Sequence, residues 1–526
     1  MIESLDGLAM VLQWEPMLFL IIGVVAGIIV GAIPGLTTTM SIALLLPFTF
    51  VLPPLNGMTL LLGIYFATVY SGSVPAILLR MPGTPASAAT LLDGYPMTQQ
   101  GKGGKALKIS LIASVVGGLI GGVLLLFFAP TLAQYALKFG PGEFFMLSVF
   151  ALALIASMSE GHMVKGLLSG LLGLLIATVG IDPIGGYPRF TFGSNSLLAG
   201  LGFIPVLIGL FGVAEALTRF EGAAKLKKAV PLSPGSYKLT GKEIRRLTPA
   251  ALYSSFIGFI VGVLPGTGGD IGSFVAHNEV KRVSRDKSQF GRGDMRGVTA
   301  AEAANNASVP GSIAPTLVLG IPGNSAAAVL MGALTVHGLQ PGPQLFTGSG
   351  DLVYAIFWAL LIIPIVMLIV GLLGIRGWGQ ITRIPTRYLW PAILALSAVG
   401  AYAVRGTIVD VVVMVGAGML GYVMIKNGFP PAPLVIGLIV GPLAEAGFRR
   451  ATIIDSGGLG WMFEPIPLVL LILSVLTVIA ALVRTRRIQL AAKGGDTPPP
   501  PLTADDLGQS DPSGDAQRAA DESALR

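Results

Sequence analysis

Apolar runs of about twenty residues, the length that crosses a bilayer as an α-helix, recur from about Met17 to Val483 with short polar gaps between them. This pattern predicts an all-α polytopic membrane protein of about 10–14 membrane segments. Two of the runs break in the same way. GAIPGLTTTMSIA (31–43) and GVLPGTGGDIGSF (262–274) each interrupt an apolar segment with Pro-Gly and continue in small and hydroxyl residues. Two further breaks follow them, in YSGSVPAILLRMPGTPASAA (70–89) and AEAANNASVPGSIAPTLVLGIPGNSAAA (301–328). Each has a small polar cluster, an apolar stretch and a Pro-Gly turn.

The breaks belong to an internal duplication. IPG (33–35) pairs with LPG (264–266), MPGTPASAA (81–89) with IPGNSAAAV (321–329), and PVLIGLFGVAEAL (205–217) with PLVIGLIVGPLAEA (433–446). The offsets from Pro34 to Pro265, Pro82 to Pro322 and Pro205 to Pro433 agree to within a dozen residues, and the order is kept. Loop charge predicts opposite orientations for the two copies. The loop after the second break is basic in the first half (Lys102, Lys105, Lys108), whereas its counterpart HGLQPGPQLFTGSGD has no Lys or Arg. One loop further on the bias reverses: residues 130–143 hold only Lys138, and residues 375–387 hold Arg376, Arg383 and Arg387. Because basic loops stay on the cytoplasmic side, the halves are expected to form an inverted-topology repeat, a transporter architecture.

The expected division is a short periplasmic N-terminus (1–16), repeat one (17–218), a cytoplasmic linker (219–249), repeat two (250–447), an extra C-terminal helix (448–487) and a disordered cytoplasmic tail (488–526). The tail is Pro-rich and too poor in apolar residues to fold. The start of the chain is acidic and lacks the basic region and cleavage site of a signal peptide, so the first apolar segment is expected to be retained. Arg449 and Arg450, which this topology puts outside, are its one strain.

Composition narrows the chemistry. Only 12% of residues are charged and 53% are hydrophobic, with mean hydropathy +0.78, against about 25% charged in a soluble domain. No stretch is left for a separate soluble catalytic domain. The net charge of +7 resides in loops between apolar runs, which argues against nucleic-acid binding. With no Cys and three scattered His, disulfides, thiol nucleophiles and Cys-ligated metals are excluded, and no metal motif or cofactor is expected.

Non-helical backbone at membrane depth persists only when buried in protein or lining a watery cavity. There the N-terminus of the half-helix beyond a break suits an anion such as a carboxylate, and freed carbonyls on the other side suit a cation. The candidate substrate- and ion-binding residues are therefore Pro34, Gly35, Thr37, Thr38, Ser71, Ser73, Pro82, Gly83 and Thr84 in the first half. In the second half they are Pro265, Gly266, Thr267, Gly268, Asn305, Asn306, Pro322, Gly323, Asn324 and Ser325. A coupling sodium is expected on carbonyls near Gly35 and Gly266. Glu302 heads the second polar cluster, where a helix start would put 302 and 306 on one face with 305 beside them. A plain position at the membrane interface is the equal alternative for it. Arg80 is expected to snorkel, and the His residues are expected to be ordinary.

GVLPGTGGDIGSFVAHNEVKRVSRDKSQFGRGDMRGVTAAEAANNASVPGSIAPTLVLGIPGNSAAAVLMGAL, with MPGTPASAATLLDGYPM before it and NGFPPAPLVIGLIVGPLAE after it, resembles the large membrane subunit of the tripartite tricarboxylate transporters over about 17–483. The resemblance implies a bacterial inner-membrane permease working with a small four-helix membrane subunit and a periplasmic solute-binding protein that delivers a carboxylate. It also implies uptake driven by a sodium or proton gradient, and no GxxxxGK[ST] element for ATP is present. The family's Pro-Gly loops map onto Pro34-Gly35, Pro82-Gly83, Pro265-Gly266 and Pro322-Gly323, and its Asn pair onto Asn305 and Asn306. Two positions depart from it: Arg80, where relatives are expected to carry Asn, and His277, where an aromatic is usual. The competing readings are an intramembrane enzyme, for which GTGGD (266–270) is a near miss without HExxH, GxSG or GxGD, and an uncoupled channel.

Overall fold

The computed structural model describes residues 2–158, 163–182, 184–222, 236–264, 268–381 and 386–493. Pro265, Gly266, Thr267 and the tail from 494 onward lie outside them. Two compact units divide the chain, Met1–Ala481 and Leu482–Arg526, and every helix but the last belongs wholly to the first.

After α1 (Ile2–Val11), the first half runs α2 (Trp14–Gly31), α3 (Thr38–Leu45), α4 (Pro54–Ser71), α5 (Ser73–Leu79), α6 (Ser87–Gln99), α7 (Gly103–Ala136), α8 (Pro141–Met158) and α9 (Met163–Ala177). It closes with α10 (Phe203–Leu207), which passes through a π-helical stretch, Ile208–Val213, into α11 (Ala214–Gly222). The second half repeats this order: α12 (Gly241–Val263), α13 (Gly268–Val283), α14 (Met295–Leu319), α15 (Ser325–Val336), the short α16 (Gln344–Gly348), α17 (Gly350–Ile381), α18 (Thr386–Arg405), α19 (Ile408–Lys426) and α20 (Pro431–Ile454). A last helix, α21 (Pro465–Lys493), runs past the expected start of the tail at 488, and α12 begins inside the expected linker. Among the described residues, 8 helices are long and apolar enough to span a membrane, and several shorter apolar helices join them. The chain is an all-α polytopic membrane protein.

The repeat extends to backbone detail. The break after α5 begins at Arg80 and the break after α14 at Gly320, both left-handed (φ 60° and 68°) and both donating their N–H to a proline carbonyl, Pro75 or Pro315. Arg80 therefore occupies a conformation that favours Gly or Asn, which accounts physically for the Asn expected there in relatives. Its guanidinium lies 5.8 Å from the Tyr95 ring centre.

Small residues let the helices meet backbone to backbone, as membrane helix packing requires. Gly23, Gly27 and Gly31 of α2 lie against Leu60, Ile64 and Thr68 of α4, and Gly258 and Gly262 of α12 against Ala304 and Ser308 of α14. Each pair is parallel, and the two pairs correspond. Equivalent helices of the two halves, by contrast, run antiparallel. Gly118 and Gly122 of α7 meet Pro364 and Leu361 of α17, while Tyr65 of α4 reaches Ser312 of α14 and Val69 reaches Asn305. The halves are thus inverted with respect to each other, as loop charge predicts.

They are also interleaved. α7 packs on α12 and α14, α17 on α2 and α4, α8 and α9 on α20, and α18 and α19 on the α10–α11 helix. At the centre is α14, buried at every residue from Gly297 to Val318. Its start at Met295, capped by Asp294, is earlier than the polar pattern suggests, and Glu302 sits two turns inside it.

The strain at Arg449 is relieved by pairing. In the loop holding β1 (Gly180–Ile181) and β2 (Pro188–Arg189), Asp182 accepts from Arg449 at 2.8 Å and lies 3.3 Å from Arg189. Arg189 in turn bonds Glu445 at 2.6 Å. The N–H of Gly185 above all, then that of Ile184 and the Arg449 guanidinium, hold the Asp182 carboxyl down to about 2. Arg449 is thereby neutralised rather than a free positive charge.

The interleaving predicts a local cost for bulk. A Cβ at Gly117 would fall on the Ala303 carbonyl of α14, whereas one at Gly416 would meet nothing within 4 Å. Gly117→Leu should lower the thermal unfolding temperature of the purified protein, with an overpacking cost of about 1–3 kcal/mol or more, and Gly416→Leu should not. Equal melting of the two variants would contradict this packing.

Candidate functional site

In the first half both breaks converge on one spot between α2 and α4. α2 stops at Gly31, the chain turns through Pro34 and Gly35 (φ 92°), and Thr37 caps α3 by accepting from the Met40 N–H at 3.2 Å. Thr38, buried, is the first residue of α3. The Ser71 hydroxyl donates to the Gly27 carbonyl at 3.0 Å. Beyond Pro82, Gly83 donates its N–H to the Gly72 carbonyl at 3.0 Å and presses on Gly72 and on the carbonyl of Gly31, where a side chain could not fit. Thr84 and Ser87 cap each other at the start of α6, at 3.1 and 3.3 Å. The structure thus brings Ser71, Gly83 and Thr84 together at the depth of Gly31. Ser73 points to α7 instead and bonds Ser110 at 2.7 Å.

In the second half Gly268 (φ 50°) opens α13 against Asn324, and Gly269 lies against Asn305 and Ser308. Asn324 caps α15, accepting from the Ala327 N–H at 2.8 Å just before Ser325. Behind Pro322, the Gly323 N–H donates to Thr316 at 3.2 Å. The Tyr65 hydroxyl of the first half closes the cluster, bonding Ser312 at 3.0 Å and Asn324 at 2.7 Å. Tyr65 is not among the candidates read from sequence, because nothing local marks a tyrosine in an apolar helix. Asn305 donates to the Val69 carbonyl at 3.4 Å, a second bond between the halves.

Four half-helices, α3, α6, α13 and α15, therefore begin at the breaks, and they pack crosswise, α3 on α15 and α6 on α13. Helix starts carry unpaired N–H groups and the positive end of the dipole, which suits a carboxylate. In α14, Pro310 and Pro315 leave the carbonyls of Asn306 and Gly311 without their i+4 donors, adding acceptors at the same level. Asn306 donates to the Glu302 carbonyl at 3.4 Å, so the two share a face of α14. Its side-chain oxygen is buried without a partner. Among the described residues no cluster of His, Asp and Glu could hold a metal ion.

One element escapes sequence reasoning. Asp93 of α6, fully buried, accepts from the N–H groups of Gly291, Gly293 and Asp294 at 2.8–3.0 Å and bonds His277 at 2.8 Å. His277 also meets the Phe290 ring edge-on. The FGRG segment is thus a loop wrapped on one carboxylate, with positive φ at Gly291 (83°) and Gly293 (104°). His277 is a buried ligand of that carboxylate, not an ordinary histidine. The signal available was an acidic residue in an apolar segment, TLLDGYPM.

A family model described as the tripartite tricarboxylate transporter TctA family matches residues 17–436. Two proteins of Agrobacterium vitis are similar to the chain. The "Uncharacterized 52.8 kDa protein in TAR-I ttuC' 3'region" is 37% identical over 467 residues, 89% of this chain and 93% of its own. The "Uncharacterized protein in TAR-II ttuC' 3'region" is 37% identical over 237 residues, 44% of this chain and 98% of its own. No solved structure matches.

Replacing Asp93 by Asn removes the charge that the loop amides and His277 share. Hydrogen exchange at Gly291, Gly293 and Asp294 should quicken, and stability should fall by about 3 kcal/mol. Unchanged protection of those amides would contradict the latch.

Proposed function

The chain belongs to the tripartite tricarboxylate transporter TctA family, and on that basis we propose that it is the large permease subunit of a binding-protein-dependent secondary transporter importing a small carboxylate. The observation that carries this reading is the inverted pair of halves whose Pro-Gly breaks put four helix starts in the protein interior. Dipoles of that kind recognise any carboxylate, so a tricarboxylate, a dicarboxylate or a related organic acid all fit, and the binding protein does the choosing.

In this reading the substrate carboxylate sits at the half-helix N-termini; the coupling ion is sodium or a proton, and a sodium would sit on carbonyls and hydroxyls near Gly35 and Gly266. The two halves rock to expose the site alternately. The chain works in the bacterial inner membrane with its N-terminus in the periplasm and its C-terminus in the cytoplasm. Its partners are a small membrane subunit and a periplasmic solute-binding protein, in keeping with the word tripartite. The family is one of transporters, which speaks against the intramembrane-enzyme alternative.

The test is uptake by proteoliposomes holding both membrane subunits, supplied with the binding protein and the labelled carboxylate that co-purifies with it. An imposed sodium or proton gradient should drive accumulation, and Asn306→Leu or Thr267→Val should cut it at least tenfold with insertion unchanged, the equivalent of about 1.4 kcal/mol. Full activity in both variants would remove the site. Flux that ignores every gradient would indicate a channel.

A further inference from the structure

Five buried carboxylates stand out among the described residues, and four of them are held in the same manner. Asp93 accepts from three backbone N–H groups and bonds His277, Asp182 accepts from backbone N–H groups and Arg449, Asp294 from Arg296, and Asp410 from Arg405 and the Thr407 hydroxyl. Each therefore has at least one backbone N–H or guanidinium partner, a group that donates and cannot accept. Glu302 differs. It is wholly buried, and the side chains bonded to its carboxyl bring hydroxyls: Thr90 of α6 on one oxygen, and Ser110 and Ser114 of α7 on the other at 3.1 and 3.0 Å. A hydroxyl can donate to a carboxylate or turn and accept from a carboxylic acid. The shell therefore fits both protonation states without moving the backbone.

We propose that Glu302 is a proton-binding site whose carboxyl takes up and releases one proton during the transport cycle. One O–H bond forms on a carboxylate oxygen and later breaks there, and no other bond changes. The proposal rests on reading the chain as a secondary transporter and assigns its coupling ion. A second observation points the same way: the Asn306 side-chain oxygen, one helical turn along the same face, and the Tyr70 hydroxyl are both buried without partners. A leftover acceptor on the same helix face as a carboxyl is repelled less when that carboxyl is neutral than when it is charged. The hydroxyls converge on the carboxylate oxygens themselves, which suits a proton better than a metal ion, since a metal needs its ligands to surround a shared point.

The electrostatic surroundings are sparse. Tyr70 is the titratable group facing Glu302 from α4. α5 and α7 present serines, α6 presents Thr90, and α12 presents Gly258 to the neighbouring Ala304. Farther off, Asp93 and His277 are bound to each other beside Gly297, Lys105 of α7 is paired with Glu243, and Asp270 of α13 lies toward Tyr65. The donors belong to the first half and the carboxyl to the second. Thr90 lies on the helix behind the second Pro-Gly break, so a shift of α6 against α14 would open the shell.

The test is a pH titration of the full-length chain in lipid followed by infrared difference spectroscopy, which reads the C=O stretch of a protonated buried carboxyl. Wild type should gain that band as the pH is lowered, and Glu302→Gln should lack it. Ser114→Ala, which removes a donor to the ionised form, should move the midpoint toward alkaline pH by about one unit. This second variant keeps the test decisive if Glu302→Gln fails to fold. A band that survives in Glu302→Gln, one that does not titrate, or an unmoved midpoint in Ser114→Ala would each overturn the proposal. Uptake in the tripartite proteoliposomes separates the two readings. Gradient-driven accumulation without the band leaves a transporter with another coupling site, and the band without accumulation leaves the proton site but removes the transport reading.

Discussion

Inside a bilayer every backbone N–H and C=O must be paired by the protein itself, and this constraint organises the whole molecule. A helix that stops inside the membrane exposes such groups, and here the breaks at Gly83 and Gly323 are closed by protein. Gly83 donates to Gly72, Gly323 to Thr316, and Thr84 and Ser87 cap each other. The closures need close approach, so glycines line them. Further groups are satisfied across the interface between halves, by Tyr65 on Asn324 and Asn305 on the Val69 carbonyl. Breaking the helices and pairing the halves are therefore one structural solution.

That solution explains α14. A helix containing EAANNASVPGSIAP is too polar to face lipid, and it does not: α7, α12, α13 and α6 enclose it. Its small residues admit these neighbours at backbone distance, and its polar side chains, Glu302, Asn305 and Asn306, project into contacts made by the other half or by its own repeat. A carboxyl or amide held this way is expensive to bury.

Much of this was legible in the sequence. The order of Pro-Gly turns revealed the duplication, loop charge revealed the inversion, and the inversion reappears as antiparallel crossing of α4 with α14 and α7 with α17. The breaks at Gly35, Gly83 and Gly323 lie where the motifs put them. What escaped were contacts between residues far apart in the chain. Tyr65 looks like any aromatic in an apolar run, Asp93 is separated by about two hundred residues from the loop it holds, and the hydroxyls around Glu302 come from α6 and α7. Arg449 looked like a stray external charge because its partners, Asp182 and Glu445, are set by folding. Hydropathy also hid α14, since a helix buried in protein need not be apolar.

The two halves are inverted copies that meet in the protein interior, and the lack of cysteine allows the inversion to be measured cleanly. Gln99, at the end of α6, and Gln340, beyond α15, are both exposed and occupy corresponding loops of the two halves. Single variants Gln99→Cys and Gln340→Cys should react with a membrane-impermeant maleimide from opposite faces, one in right-side-out and the other in inside-out vesicles. Labelling of both from the same face would contradict the inversion and, with it, the interior meeting of the four helix starts.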